Sequence, residues 1–273
     1  MKNIFTLFFL SLILFSCSRD NEDEIFENNE PLITKMSSLV LYSGFIFNNN
    51  VDLNVYFQYD NEKRLTRKTG GLLPVSGSTG FGGSFSDKVY TTLVYSGNTV
   101  LIENFSSSPD FTVPKNSKYF ILNNSNQISE REFEDGHEYN YKKQQYKYES
   151  GKLTEIITTL PKMPFFPPDD YIPTYLEKFY YDSNGNLTKS EYIFQKDGVN
   201  TNEKTVRTFE DYDNSYNPWK RLYLLDEFFY RSISKNNFRK YKEIKYDYYG
   251  NITSTTLRDW TFNYDSNGNI IIN

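Results

Sequence analysis

Phe179-Tyr180-Tyr181-Asp182-Ser183-Asn184-Gly185-Asn186-Leu187-Thr188 reads as strand, turn, strand. Phe179 and Tyr181 alternate with Lys178 and Tyr180, the period of a strand. The middle five residues are turn chemistry. The Asp182 carboxylate can accept hydrogen bonds from amides ahead of it, and Asn and Gly tolerate the positive φ of a tight reversal. Leu187 resumes the apolar alternation with Thr188 opposite, so the ten residues predict one β-hairpin with a pinned register.

The same grammar returns along the chain. Tyr246-Asp247 leads to Gly250-Asn251-Ile252-Thr253, and Tyr264-Asp265 leads to Gly268-Asn269-Ile270. Tyr59-Asp60 to Leu65-Thr66 keeps the frame without the Gly, and Leu122-Asn123 to Ile128-Ser129 has Asn for Asp. Tyr95–Val100 and Tyr148–Thr154 are one residue shorter, and Tyr212-Asp213-Asn214-Ser215-Tyr216-Asn217-Pro218-Trp219 is remodelled. A recurring device at roughly constant period marks a repeat architecture in which each unit buries its apolar face against its neighbours. The structural, turn-forming residues are therefore Asp60, Asp182, Gly185, Asn186, Asp213, Asp247, Gly250, Asn251, Asp265, Gly268 and Asn269.

These Tyr-Asp-x-x-Gly-Asn-Leu/Ile-Thr turns resemble the YD repeat of RHS-type proteins. Together with the Tyr212–Pro218 variant and a lipoprotein signal, the chain is similar to uncharacterised Bacteroidetes lipoproteins that carry a domain of unknown function with a porin-like β-fold. The resemblance spans most of the chain after about Leu39 and implies no activity.

Composition agrees with strands. Of 273 residues, 24 are Tyr and 23 are Phe, and aromatics favour strands. The expected fold is all-β: a long antiparallel meander of repeated hairpins, curled into a barrel-like or strongly twisted sheet that hides its edges. The formal net charge of −5 argues against a nucleic-acid partner, which needs a basic face.

Residues 1–16 read as a secretory signal: Lys2, then a nearly continuous apolar run from Ile4 to Phe15, too short to span a membrane as a helix. The ending Leu14-Phe15-Ser16-Cys17 resembles the bacterial lipobox, so the single Cys, Cys17, is expected to carry the lipid. The tether reads as residues 17–36. Between Ser18 and Glu30, Asp20, Glu22, Asp23, Glu24, Glu27 and Glu30 face one Arg19, a run that self-repels and extends. At ~3.5 Å per residue it reaches up to ~45 Å. Its acidity resembles the surface-export signal of Bacteroidetes lipoproteins, which implies an outer-membrane protein facing outward; the periplasmic face is the alternative. Residues 37–273 read as one domain.

Within that domain, strands are expected at 39–42 and 51–57, and Gly70 to Phe85 reads as a long mobile connection because six glycines interrupt it. Leu153 and Ile157 fall on one side of their strand and Ile156 and Leu160 on the other, which suggests cover on both faces. Five prolines between Pro161 and Pro173 exclude a central strand. Phe165 and Phe166 within that stretch either fold back onto the sheet, the expected case, or form a partner surface together with Trp219. Lys220 to Tyr230 is the one place that suits a short helix.

Catalytic residues are not evident. His137 is the only histidine, so a two-His zinc site is impossible, and its run Glu132–Glu138 reads as a solvated turn. The Asp182 and Asp265 loops lack the closing acid of a calcium loop, so neither metal nor cofactor is expected. The function that fits is a lipid-anchored envelope protein that binds or scaffolds a protein or glycan. The alternative is a carboxylate hydrolase such as a glycosidase, which needs two acids roughly 5–10 Å apart across a cleft.

Overall fold

The computed structural model describes residues 32–38, 52–77, 80–167 and 170–271, with side chains of 74–83 excepted. Cys17, the acidic tether to Glu30 and the strand expected at 39–42 lie outside the described residues.

Fourteen strands follow one another in sequence order as a single antiparallel sheet. They are β1 (Lys35–Ser37), β2 (Asn54–Tyr59), β3 (Leu65–Gly77), β4 (Gly80–Ser96), β5 (Thr99–Ser106), β6 (Lys118–Leu122), β7 (Ile128–Glu134), β8 (Tyr141–Glu149), β9 (Lys152–Thr159), β10 (Pro173–Tyr181), β11 (Leu187–Lys196), β12 (Val199–Tyr212), β13 (Phe238–Tyr246) and β14 (Ile252–Asp259). A separate small hairpin, β15 (Asn263–Tyr264) with β16 (Ile270–Ile271), follows. The fold is all-β, and the main sheet stays open: β1 and β14 are its two edges.

Most letters of the repeated turn have a physical role. The acid or amide at its head accepts two backbone N–H groups: Asp60 Oδ1 from Glu62 and Arg64, Asn123 Oδ1 from Ser125 and Gln127, Asp182 Oδ1 from Asn184 and Asn186, Asp247 Oδ1 from Tyr249 and Asn251, Asp265 Oδ1 from Asn267 and Asn269. The Asn251 and Asn269 side chains donate back to their own turn's acid, whereas Asn186 Oδ1 accepts from the Asn236 N–H. The following Leu or Ile is buried at Leu65, Ile128 and Leu187. The Thr or Ser after it is the extra residue of a β-bulge. Its hydroxyl donates across the strand pair: Thr66 to the Gln58 carbonyl at 3.1 Å, Ser129 to Ile121 at 3.0 Å, Thr188 to Tyr180 at 3.0 Å.

The tyrosine links one unit to the one before. Tyr95 donates its hydroxyl to the Leu65 carbonyl at 3.1 Å, Tyr148 to Ile128 at 2.9 Å, and Tyr212 to Leu187. Each accepting carbonyl belongs to the buried residue just past the earlier turn. The Tyr181 hydroxyl is buried without a hydrogen-bond partner among the described residues. Tyr148→Phe is therefore expected to lose about 1 kcal/mol by orphaning a carbonyl, while Tyr181→Phe is neutral or stabilising. Paired urea melts read the difference, and equal losses would contradict the linkage.

The fourth turn position has positive φ: Gly185 at 88°, Gly250 at 85° and Gly268 at 79°, but also Lys63 at 58° and Asn126 at 57°. A side chain in the left-handed region costs about 1–2 kcal/mol. Lys63→Gly is expected to raise the unfolding free energy by up to about 1 kcal/mol, after the entropy of a freer unfolded chain is subtracted. A drop in midpoint would count against it.

Four expectations change. Gly70 to Phe85 is not a loop but the body of a hairpin whose register runs to Gly77 opposite Gly80. Gly70 sits at a bulge with φ +103°, and a Cβ there would lie 2.9 Å from the Phe85 ring, so the ring covers the glycine and holds the strand. Leu153 faces inward with Ile156, not Ile157, because the bulge at Thr154 shifts the alternation by one. Trp219 is 1% exposed and belongs to the core. Phe165 and Phe166 do not fold back; they are 46% and 73% exposed.

The core is the inner face of the curled sheet around a plug. Lys220–Leu222 and Asp226–Phe228 are 3-10 turns, and α1 (Phe229–Ser232) is one helical turn. Phe228 is fully buried against Phe57 of β2, ring centroids 5.8 Å apart. Glu227 pairs with Lys68 of β3, and Asp226 meets Lys118 of β6 at 2.5 Å and Arg131 of β7 at 2.9 Å. Phe229 packs on Tyr146 and Phe179, and Tyr230 on Phe209. One short segment thus touches strands from β2 to β12, which requires the sheet to wrap it.

The plug ends in a caged cation. Arg231 donates to the Phe238 carbonyl at 3.0 Å, and its guanidinium lies 4.1 Å from Phe238, 4.3 Å from Trp260 and 5.0 Å from Trp219 ring centroids. Burial lowers its pKa to about 9, so it is charged at neutral pH and held by ring faces.

Candidate functional site

An antiparallel meander places alternate connections at opposite ends. One end carries the repeated turns at 60–64, 97–98, 123–127, 150–151 and 182–186, and the start of the plug connection at Asp213. The other end carries connections that differ from one another, 107–117, 135–140, 160–172 and 197–198, together with one further copy of the repeated turn at 247–251. Repeat folds commonly carry their binding loops on one such face.

Exposed apolar side chains gather at this second end. Val199 is 68% exposed and Tyr249 81%, alongside Tyr139, Phe165, Phe166 and Ile172. Three of these connections form a rim. Asp197 accepts the Ile172 N–H at 2.9 Å and donates its own N–H back at 3.0 Å. The Lys196 ammonium lies over Tyr171 at 4.3 Å and Tyr248 at 4.7 Å. The N-terminal segment enters at the opposite end, where the Tyr59 hydroxyl donates to the Ile33 carbonyl at 2.8 Å.

Beneath the rim a cleft of about 420 Å³ opens on the inner face, lined by Tyr175, Tyr192, Phe194, Glu203, Lys204, Thr205, Lys245, Tyr246, Asp247, Tyr248 and Thr253. Strand register explains it. Tyr175 stands opposite Phe194, and Glu177, Tyr192, Thr205 and Lys245 stand opposite one another in turn. Tyr175 and Tyr192 stack at 5.1 Å with 12° between planes. Burial raises both phenol pKa values, so both hydroxyls keep their protons at neutral pH. None of the lining residues belongs to the plug.

One row deeper lies a buried ionic cluster. Arg207 of β12 bridges Glu177 of β10 at 3.2 Å and Glu243 of β13 at 2.9 Å. Tyr230 donates to Glu177 at 2.7 Å and Tyr241 to Glu243 at 2.8 Å. Burial raises the Glu177 pKa, with Arg207 and Tyr230 opposing. Burial also pushes Glu243 up, but Tyr241 and Arg207 outweigh it and the net shift is downward. Carboxylates pulled apart in this way can form an acid–base pair. Here both are spent on one guanidinium and closed in by two tyrosines, and neither lines the cleft.

Of the residues singled out from the sequence, Phe165 and Phe166 reach the rim and Trp219 does not. Asp213 binds Ser215 and Asn237 and accepts the Tyr264 hydroxyl at 2.9 Å, which ties the last small hairpin to the sheet. His137 is exposed and accepts the Tyr139 N–H at 3.2 Å. Among the described residues no group of three or more His, Cys, Asp or Glu could hold a metal. Sequence reading missed Tyr175, Tyr192 and Phe194. The signal was available in the pinned 182–186 turn, which sets 175 against 194.

The outer face carries Lys178, Glu191, Lys189 and Lys242 among its cross-strand rows, which interrupts any lipid-facing apolar band.

No protein-family model matches the chain, and no curated protein does. Solved structures to which it is similar include a porin-like protein from Bacteroides uniformis, 13% identical over 80% of this chain and 80% of that one, TM-score 0.45. A porin-like protein from Bacteroides vulgatus is 13% identical over 82% and 86%, TM-score 0.45. Likeness at this level says nothing about activity.

Proposed function

We propose that the chain is a lipid-anchored protein of the bacterial envelope, tethered through Cys17, that binds its partner with the loop rim. The observation that carries this is the polarity of the sheet. The described chain begins at the end that carries most of the repeated turns, and the most exposed aromatic residues, Phe166 and Tyr249, lie at the far end. An anchored binder needs its working surface away from the anchor, and exposed apolar side chains gathered at one end mark an interaction surface. The hydrolase reading is weaker, because the one buried carboxylate pair described above is neutralised by Arg207 and has no access to the cleft. Outer-membrane residence and outward orientation belong to the same proposal, which rests on the lipobox and the acidic run.

Two measurements test it. Labelled palmitate is expected to enter the wild-type protein and not Cys17→Ala, which should leave the membrane fraction; an unlabelled wild type removes the anchor. Retention of the full Cys17→Ser chain on isolated envelopes is expected to fall at least tenfold with Phe166→Glu plus Tyr249→Glu and to persist with Asn184→Glu at the opposite end. Equal retention by all three removes the rim.

A further inference from the structure

The geometry points to a neutral carbohydrate as the occupant of the cleft, an inference that rests on the rim being the binding end. Tyr175, Tyr192 and Phe194 are inward residues of the sheet at a place the plug does not cover, and they remain partly exposed. A stacked aromatic wall open to water calls for a ligand with an apolar face. The opposite side of the cleft is polar: the Glu203 carboxylate accepts, the Lys245 ammonium donates, and the Thr205 hydroxyl does both. A sugar ring presents these two characters together, C–H bonds on its face and hydroxyls around its rim.

Charge narrows the class. Lys204 stands with Ile193 and Tyr246 on the outer face, which leaves Glu203 and Asp247 against Lys245, so the cleft carries no net positive charge and has no means of drawing in a polyanion. A lipid chain would need an apolar lining throughout, and a bound peptide strand would need an unpaired sheet edge. This cleft has neither: its strands β10 to β13 are paired on both sides. About 420 Å³, open along one side, falls within the usual range for small-ligand sites and suits a segment of a longer glycan chain.

The test is affinity electrophoresis of the full Cys17→Ser chain in native gels containing dextran, yeast mannan or xylan, with polygalacturonate as the charged arm. Retardation is expected in at least one neutral polysaccharide. Tyr192→Ala is expected to weaken it about tenfold, and Tyr192→Phe, which keeps the ring, less than about twofold. Tyr90→Ala, which breaks the stacked pair with Phe105 elsewhere on the sheet, should leave it unchanged. Near-ultraviolet circular dichroism checks that each variant is folded. No retardation in any neutral polysaccharide overturns the inference, as does retardation by polygalacturonate alone or full retention of binding in a folded Tyr192→Ala. The two readings fail separately. If the rim variants lose envelope retention while no polysaccharide retards the wild type, the rim stands and the carbohydrate falls.

Discussion

Phe228→Ala is expected to remove about 3–5 kcal/mol of unfolding free energy. Phe228 is fully buried, and its ring meets Phe57 edge-on, 171 residues earlier in the chain. The cavity would open at the centre of the plug, where the neighbours are strands fixed by ladders on both sides and unable to collapse inward. Domains of this kind are stable by only about 5–15 kcal/mol, so the loss is a large share of the total. Phe166→Ala, at a ring that is 73% exposed, is the matched control and should fall within about 0.5 kcal/mol of wild type. Urea unfolding of the two variants gives the comparison. A Phe228→Ala loss below about 1 kcal/mol would mean that the sheet stands without its plug.

Arg207→Leu is expected to cost about 3–5 kcal/mol at neutral pH, because it strands Glu177 beneath the plug. Arg207→Leu combined with Glu177→Leu should recover much of that loss, since the stranded charge leaves with its partner. The pH dependence has a definite sign. Glu177 already has its folded pKa raised by burial, and losing Arg207 raises it further. The folded variant then takes up a proton that the unfolded chain gives away, so acid favours folding. The penalty stands in full above the raised value, shrinks as pH falls through it, and is gone below the ordinary value of 4.5. Glu243 runs the other way in the wild type. Its lowered pKa contributes stability above 4.5 that is lost as pH falls through the folded value. Melting temperatures of wild type and Arg207→Leu should therefore converge between neutral and acid pH. A constant gap would show that Glu177 is not the group responsible.

Hairpins were legible because their determinants are local. An acid that caps two amides, a residue at positive φ and a buried Leu or Ile all lie within eight residues, so the period and most strands could be read directly. The bulge was not legible at Leu153, since one extra residue reverses the alternation without changing composition. The glycine-rich hairpin was missed because its support, the Phe85 ring over Gly70, comes from the facing strand. The helical turn inside 220–230 was visible, but its place was not. A segment surrounded on all sides carries Trp219, Leu222, Leu224, Leu225 and Phe228 with no single apolar face, so periodicity gives no direction. Trp219 was misread for that reason. The cleft depends on which residues stand abreast on four strands, information that exists only once every register is known.

The position of the plug in the chain sets an order of events as the polypeptide emerges from its N-terminal side. Each strand of the sheet bonds to the strand before it, so hairpins close soon after they emerge, with little loop entropy to overcome. The segment that fills them emerges only after β12. Until then Phe57, Phe120, Phe179 and Phe209 line a hollow with nothing inside it, beside lysines and an arginine that await Asp226 and Glu227. A polypeptide halted before residue 219 would be a wet, sticky gutter, the kind of species that chaperones hold and proteases destroy.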